Sequence, residues 1–171
     1  MEKINSIWNH PLYQSHYRKI AQLEKDRIFC CHGITHLLDV ARIAWILNLE
    51  RGYGFDKEVI YGAALLHDIG KDLQYTEKIP HEIAGEEIAR QILEDLSLVG
   101  GETCSEKVTF TPTERDEILV AIRGHRRQQE GASLLASLLY ESDKASRCCF
   151  SCEAEQECNW KKEKKNMEIK I

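Results

Sequence analysis

His67 and Asp68 stand side by side at the end of an apolar run, Ala63-Ala64-Leu65-Leu66, and are followed by Ile69-Gly70-Lys71. Neighbouring side chains on an α-helix point about 100° apart. The pair can therefore converge on one ion only where the helix ends, and Gly70 is a helix-stop signal. Imidazole is a ligand for Zn, Fe or Mn, and carboxylate suits harder ions. Lys71 places a cation beside the pair, where an anionic substrate would want one. Packing alone does not call for such a run.

A dipeptide gains weight only from a wider ligand set. The selection rule is position, because polar groups aimed into a core are costly unless something satisfies them. His36 shares the inward stripe of Val40 and Ala44, and His125 follows Ile118 and Ile122 on an apolar face. Asp143 lies one turn after Leu139. His81 opens a helix, and Gly85 one turn later leaves room for something to approach. Taken singly, an inward His is a hydrogen-bonded core residue and a helical Asp is a cap or surface charge. Taken together, they are all satisfied at once by a polyvalent site at the centre of a helical bundle.

The elements that must position these residues read as helices. The periodicity predicts a first helix over Leu12 to Phe29, a break at Cys30 to Gly33, and a second over Ile34 to Glu50. Asp56 reads as the N-cap of a third, which carries Val59, Ala63, Leu66 and His67 and stops near Gly70. A polar loop, Asp72 to Pro80, leads to a fourth over His81 to Leu96. After a loop from Val99 to Phe110, Thr111-Pro112-Thr113-Glu114 is a capping box with Pro at the first helical position. It opens a fifth helix to about His125, and a sixth covers Ser133 to Arg147. The expected class is all-α: one domain of about six helices over residues 1–147, with a Cys-containing tail over 148–171 packed on it.

Composition agrees with a soluble globular domain. Of 171 residues, 43% are apolar and 30% charged, and only three prolines and ten glycines are present. A formal charge of −5 argues against a nucleic-acid polymer as the main partner. No apolar run is long enough for a membrane span or shaped like a signal peptide, so a cytoplasmic protein is expected. Seven cysteines then read as thiols or metal ligands rather than disulfides.

In order and spacing, His36, then His67-Asp68, then Asp143 resemble the H…HD…D signature of the HD-domain superfamily, metal-dependent phosphohydrolases of all-α fold. The flanking text is similar too: Leu37-Leu38-Asp39-Val40-Ala41-Arg42, Leu65-Leu66-His67-Asp68-Ile69-Gly70-Lys71 and Glu141-Ser142-Asp143-Lys144. The resemblance covers about Phe29 to Arg147. It implies that His36, His67, Asp68 and Asp143 hold one ion. His81 and His125 fall where two-metal members have further histidines. Those members include the HD-GYP phosphodiesterases, whose GYP segment this chain lacks, and the dinucleoside-tetraphosphate hydrolases. In a two-metal reading Asp68 bridges, and one or two divalent ions of Fe, Mn, Zn, Co or Ni activate a water against phosphorus. Lys71 and Arg147 are candidates for binding phosphate oxygens, and the Arg123, Arg126 and Arg127 group is equally a solvated basic surface. For His32, three roles stay open: a partner behind the ligands, a substrate-facing acid, or a loop residue.

Cys149 and Cys152 have CxxC spacing, and Cys158 follows. Such thiolates chelate a structural Zn or an iron–sulfur cluster, with Cys30 as the expected fourth ligand tying the tail to the body. Cys31 and Cys104 stay unassigned. The leading function is hydrolysis of a phosphoester or phosphoanhydride in a nucleotide or small metabolite. A di-iron oxygenase and a non-catalytic metal or redox sensor are the alternatives.

Overall fold

The computed structural model describes residues 1–99, 109–127 and 130–169. Among these there are eight α-helices and no strand. Two short helices open the chain, α1 (Glu2–Asn9) and α2 (Pro11–Leu23), divided where His10 turns extended and caps the Leu12 amide ahead of Pro11. The expected helix to Phe29 stops earlier, at Leu23, because Glu24 turns inward and is buried. Helix α3 (Ile34–Arg51) buries Leu37, Val40, Ala41, Ala44 and Leu47, and ends at Gly52, whose φ of 64° is left-handed. Helix α4 (Lys57–Leu66) starts at Asp56, whose carboxylate accepts the Glu58 amide at 2.7 Å. This helix is buried almost all round, since α3, α7 and α1 pack on it.

The expected loop from Asp72 to Pro80 is largely a helix, α5 (Lys71–Glu77). Its sequence carries little apolar periodicity. It is held instead by docking on α2 and α6, where buried Asp72 pairs with His16 Nδ1 at 2.8 Å. Helix α6 (His81–Val99) follows, and residues 100–108 of the expected connecting loop lie outside the described residues. Helix α7 (Pro112–Gly124) begins with the Thr111–Glu114 capping box, and α8 (Leu134–Ala145) with Ser133 as its cap. No described helix is long and apolar enough to cross a membrane.

Gly70 is not a left-handed helix stop; its φ is −84°. Its role is space. A Cβ there would meet the Gly85 amide nitrogen and the His81 carbonyl oxygen at 2.5 Å each, both backbone atoms of α6. What approaches Gly85 is therefore the chain itself, and this contact sets how near His81 comes to His67 and Asp68. Gly70→Ala is expected to destabilise the fold by about 1–3 kcal/mol, the usual cost of overpacking, which a urea denaturation midpoint reads directly.

Beyond α8 the chain forms 3₁₀ turns at Cys149–Ser151 and Lys162–Lys164. The Asn166 side-chain amide donates to the carbonyls of Ala145 and Arg147 at 2.9 Å each, and its backbone carbonyl accepts from the Phe150 amide at 3.1 Å. These bonds lay the tail against the end of α8.

Candidate metal centre

Helix α4 ends at Leu66, and His67, Asp68, Ile69 and Gly70 form the turn that follows. The amide of Ile69 bonds the Leu66 carbonyl and that of Lys71 bonds the Asp68 carbonyl, so the backbone is satisfied while both side chains face one space. His36 comes from the first turn of α3, His81 from the start of α6, His125 from the end of α7, and Asp143 from the last turn of α8. Each helix thus delivers its ligand from an end or an inner stripe.

Asp68 is the hub. Five of the seven histidines lie within 4.0 Å of its carboxylate. Oδ2 faces His67 Nε2 at 3.0 Å and His36 Nε2 at 3.5 Å. Oδ1 faces His81 Nε2 at 3.4 Å, His125 Nε2 at 4.0 Å and Lys71 Nζ at 3.4 Å. Ligand atoms of His36, His67, Asp68 and Asp143 all lie within 4.8 Å of one another, as do those of Asp68, His81 and His125. Two groups therefore share one carboxylate.

Two observations show that these groups suit cations. First, the tautomers are set for ligation. The Nδ1–H of His67 donates to the Ala64 carbonyl at 2.7 Å, that of His125 to the Ile122 carbonyl at 2.6 Å, and that of His81 to Gln74 Oε1 at 2.5 Å. An imidazole that donates from Nδ1 presents the Nε2 lone pair inward, the usual arrangement behind a metal-bound histidine. Second, that inward face is poorly satisfied. His67 Nε2 is buried with no hydrogen-bond partner, and Asp68 Oδ2 lies 3.0 Å from it. The Nε2 atoms of His81 and His125 face each other at 3.1 Å. A buried polar atom without a partner is costly, and a divalent ion in either group removes the cost.

Charge agrees with this reading. Burial pushes the imidazoles of His36 and His125 down to about 4 and that of His81 to about 2, which keeps them neutral. His67 is the exception: burial opposes its charge, but Asp68 and Asp143 beside it raise its pKa. Burial also opposes the charges of Asp68 and Asp143, yet both are held well below the usual carboxylate range. The cations around them outweigh it: His67 and Lys71 for Asp68, Arg147 and Lys144 for Asp143. In the described geometry the Arg147 guanidinium donates to Asp143 Oδ1 at 2.9 Å and to His36 Nε2 at 3.1 Å.

A family model described as HD domain matches residues 33–155. The chain belongs to the HD-domain family. HD domains bind divalent metal ions, and the His36, His67, Asp68, Asp143 group is this HD protein's candidate site. It is 43% identical over 169 residues to an uncharacterized protein of Clostridium beijerinckii, 99% of each chain being covered. It is 26% identical to ribonuclease Y of Acetivibrio thermocellus over 137 residues, which is 80% of this chain and 22% of that protein. Ribonuclease Y of Mycoplasma mycoides gives 26% over 113 residues, 66% of this chain and 22% of that one. The HD chain thus spans about a fifth of these ribonucleases. No solved structure matches it.

The HD site opens on a cavity of about 370 Å³ lined by Asp68, Lys71, His32, His81, His125, Asp143 and Arg147, among others. Arg126 reaches the same cavity but pairs with Glu82 at 3.0 Å, and Arg123 pairs with Glu86 at 3.1 Å on α6. These two arginines and Arg127 line a separate surface hollow.

His32 sits beside the ligands, its Nε2 3.7 Å from Asp68 Oδ2, and belongs to neither ligand group. Glu24 holds it, pairing with His32 Nδ1 and accepting the His32 amide at 2.7 Å and the Tyr75 hydroxyl at 2.6 Å. Burial resists the Glu24 charge, but the bonds from His32 and Tyr75 bring its pKa down to about 2. Burial lowers the pKa of His32 itself, against the pull of Asp68 and Glu24. Glu24, Tyr75, Gln74 and Ser146 are the supporting residues that sequence reasoning missed. Ser146 Oγ accepts from His36 Nδ1 at 3.1 Å and donates to the Asp143 carbonyl. A polar residue just after a helix gives no sign that it turns inward.

Proposed function

We propose that this HD protein is a metal-dependent phosphohydrolase that opens a phosphoester or phosphoanhydride in a nucleotide or small phosphorylated metabolite. The observation that carries the reading is the division of Asp68, with Oδ2 in one ligand group and Oδ1 in the other. Two cation sites sharing a carboxylate form a clamp suited to in-line displacement at phosphorus. His36, His67, Asp68 and Asp143 would hold one ion, and Asp68, His81 and His125 the other. Fe, Mn, Zn, Co or Ni suits such donors, and the bound ions supply Lewis acidity toward a water and a phosphoryl oxygen.

The rest of the cavity suits the substrate. Six basic side chains line it, Arg27, Lys71, Arg126, Lys144, Arg147 and Lys164, on a chain whose net charge is −5. Such a local excess of cations draws in an anion. Lys71 projects beside Asp68, and Arg147 keeps a buried Nε with no partner, so both can take phosphate oxygens. Tyr75 and Trp160 offer aromatic faces for a base. His32, oriented by Glu24, lines the cavity with its Nε2 toward Asp68 and is placed to contact the substrate. Glu24→Gln is therefore expected to lower kcat about 10- to 100-fold, the range for support residues behind a site, with little change in metal content. Paired kinetics and elemental analysis check both halves.

Because the named ribonucleases are similar over the HD segment, RNA belongs in the substrate screen, although the small cavity favours a mononucleotide or dinucleotide. The test is phosphate or nucleotide release by protein reconstituted with each candidate ion, without oxygen. Release that requires the ion and is lost in His67→Ala supports the reading. Oxygen consumption without phosphate release would point to the oxygenase chemistry instead.

A further inference from the structure

The tail beyond Arg147 poses a stability problem. Its buried apolar residues are Cys149 and Ala154, while Phe150, Met167 and Ile169 are exposed. Two 3₁₀ turns, the Asn166 bonds and the Lys165 bonds to Glu155 are a thin basis for a fixed conformation, and small units with so little core commonly add disulfide or metal staples. All six described cysteines are free thiols, so no disulfide serves.

Four of those six gather. Cys149 is buried on its 3₁₀ turn, and the Cys152 amide closes that turn on the Cys149 carbonyl at 3.3 Å. Cys30, from the connection between α2 and α3, and Cys158 line the same wall of the HD cavity. Successive turns lead from Cys152 to Cys158, the Glu155 amide bonding the Cys152 carbonyl at 3.1 Å and the Cys158 amide the Glu155 carbonyl at 3.2 Å. The other two stay out: Cys148 is exposed, and Cys31 lies exposed against the Phe29 carbonyl at 3.5 Å.

We propose that Cys30, Cys149, Cys152 and Cys158 form a four-thiolate metal centre, separate from the HD site, that staples the tail to the body. Thiolates in this pattern bind Zn²⁺ or an iron–sulfur cluster. Sulfurs around one zinc stand about 3.8 Å apart, from a Zn–S bond of ~2.3 Å in a tetrahedron. Among the described residues no three cysteine sulfurs come within 4.8 Å of one another. The wider spread suits a [4Fe–4S] cluster, in which each thiolate binds a different iron. The staple also builds the cavity, because Asn159, Trp160 and Lys164 reach that wall only from the tail.

The experiment is elemental and sulfide analysis of full-length protein purified without oxygen or chelator, from cells supplied with iron and zinc. Limited proteolysis of the same samples is read in parallel. The expected result is thiolate-bound metal that survives in His67→Ala/Asp68→Ala. It should be lost in Cys30→Ser and in Cys149→Ser/Cys152→Ser, and retained in Cys31→Ser/Cys148→Ser. Loss should expose the tail to cleavage while the helical body stays intact. Iron with equal acid-labile sulfide identifies a cluster, and zinc without sulfide a single ion. Wild-type protein whose only metal disappears with the HD ligands, or Cys149→Ser/Cys152→Ser protein with its full metal content, would overturn the proposal. Survival in the His67→Ala/Asp68→Ala protein separates this result from the fate of the hydrolase reading.

Discussion

Asp68→Asn is expected to lower phosphohydrolase turnover by about 10³-fold or more, roughly 4 kcal/mol of barrier, while leaving the helical fold in place. The size follows from geometry. His36 and His67 belong to one ligand group and His81 and His125 to the other, but Asp68 serves both. Asn matches the carboxylate in shape and removes its charge, so the His81 and His125 group keeps no negative donor and the other keeps only Asp143, which is already paired with Arg147. His36→Ala and His81→Ala should each cost less, because each removes a ligand from one group only. Combining either with Asp68→Asn should add almost nothing, as expected for residues that act as one unit. Steady-state kinetics on the five variants, with circular dichroism as a control for folding, measures this.

Arg147→Ala should have the largest effect on stability, and one that depends on metal. The guanidinium is buried and bonded to Asp143 and His36. Removing it leaves the buried Asp143 carboxylate with Lys144 at 2.5 Å as its remaining charged partner. Breaking a buried ion pair on one side costs about 3–5 kcal/mol, and the metal-free variant should lose a large part of that. With an ion bound, Asp143 and His36 bond the cation instead, so the loss should shrink. Urea denaturation in chelator and in excess Mn²⁺ compares the two states. An equal loss in both would mean that Arg147 supports the helix end rather than the ligand cluster.

Much of the architecture is local, and so could be read from the chain. The start of α3 at Ile34, the cap at Asp56, the start of α6 at His81 and the Thr111–Glu114 box each rest on residues within four positions of one another. What escaped depends on distant contacts. Helix α5 has no apolar stripe of its own and exists through Asp72–His16 and its docking on α2 and α6. Glu24 looks like a surface acid at a helix end, and only the fold brings His32 and Tyr75 to it. Gly70 was legible as special but not for its reason, since the backbone of α6 that it admits lies in another element. The inward histidines were legible as a set because each interrupts an apolar face. The division of Asp68 between two groups depends on where five elements end, which no helical period encodes.

The most direct test of that division is the count of Mn²⁺ bound at saturation by the full-length protein and its variants, since Mn²⁺ prefers oxygen and imidazole donors to thiolates. Two ions in wild type, one in His81→Ala and none in Asp68→Asn is the predicted result. A single ion in wild type, or an Asp68→Asn protein that binds as many as wild type, would contradict a carboxylate shared between two cation sites.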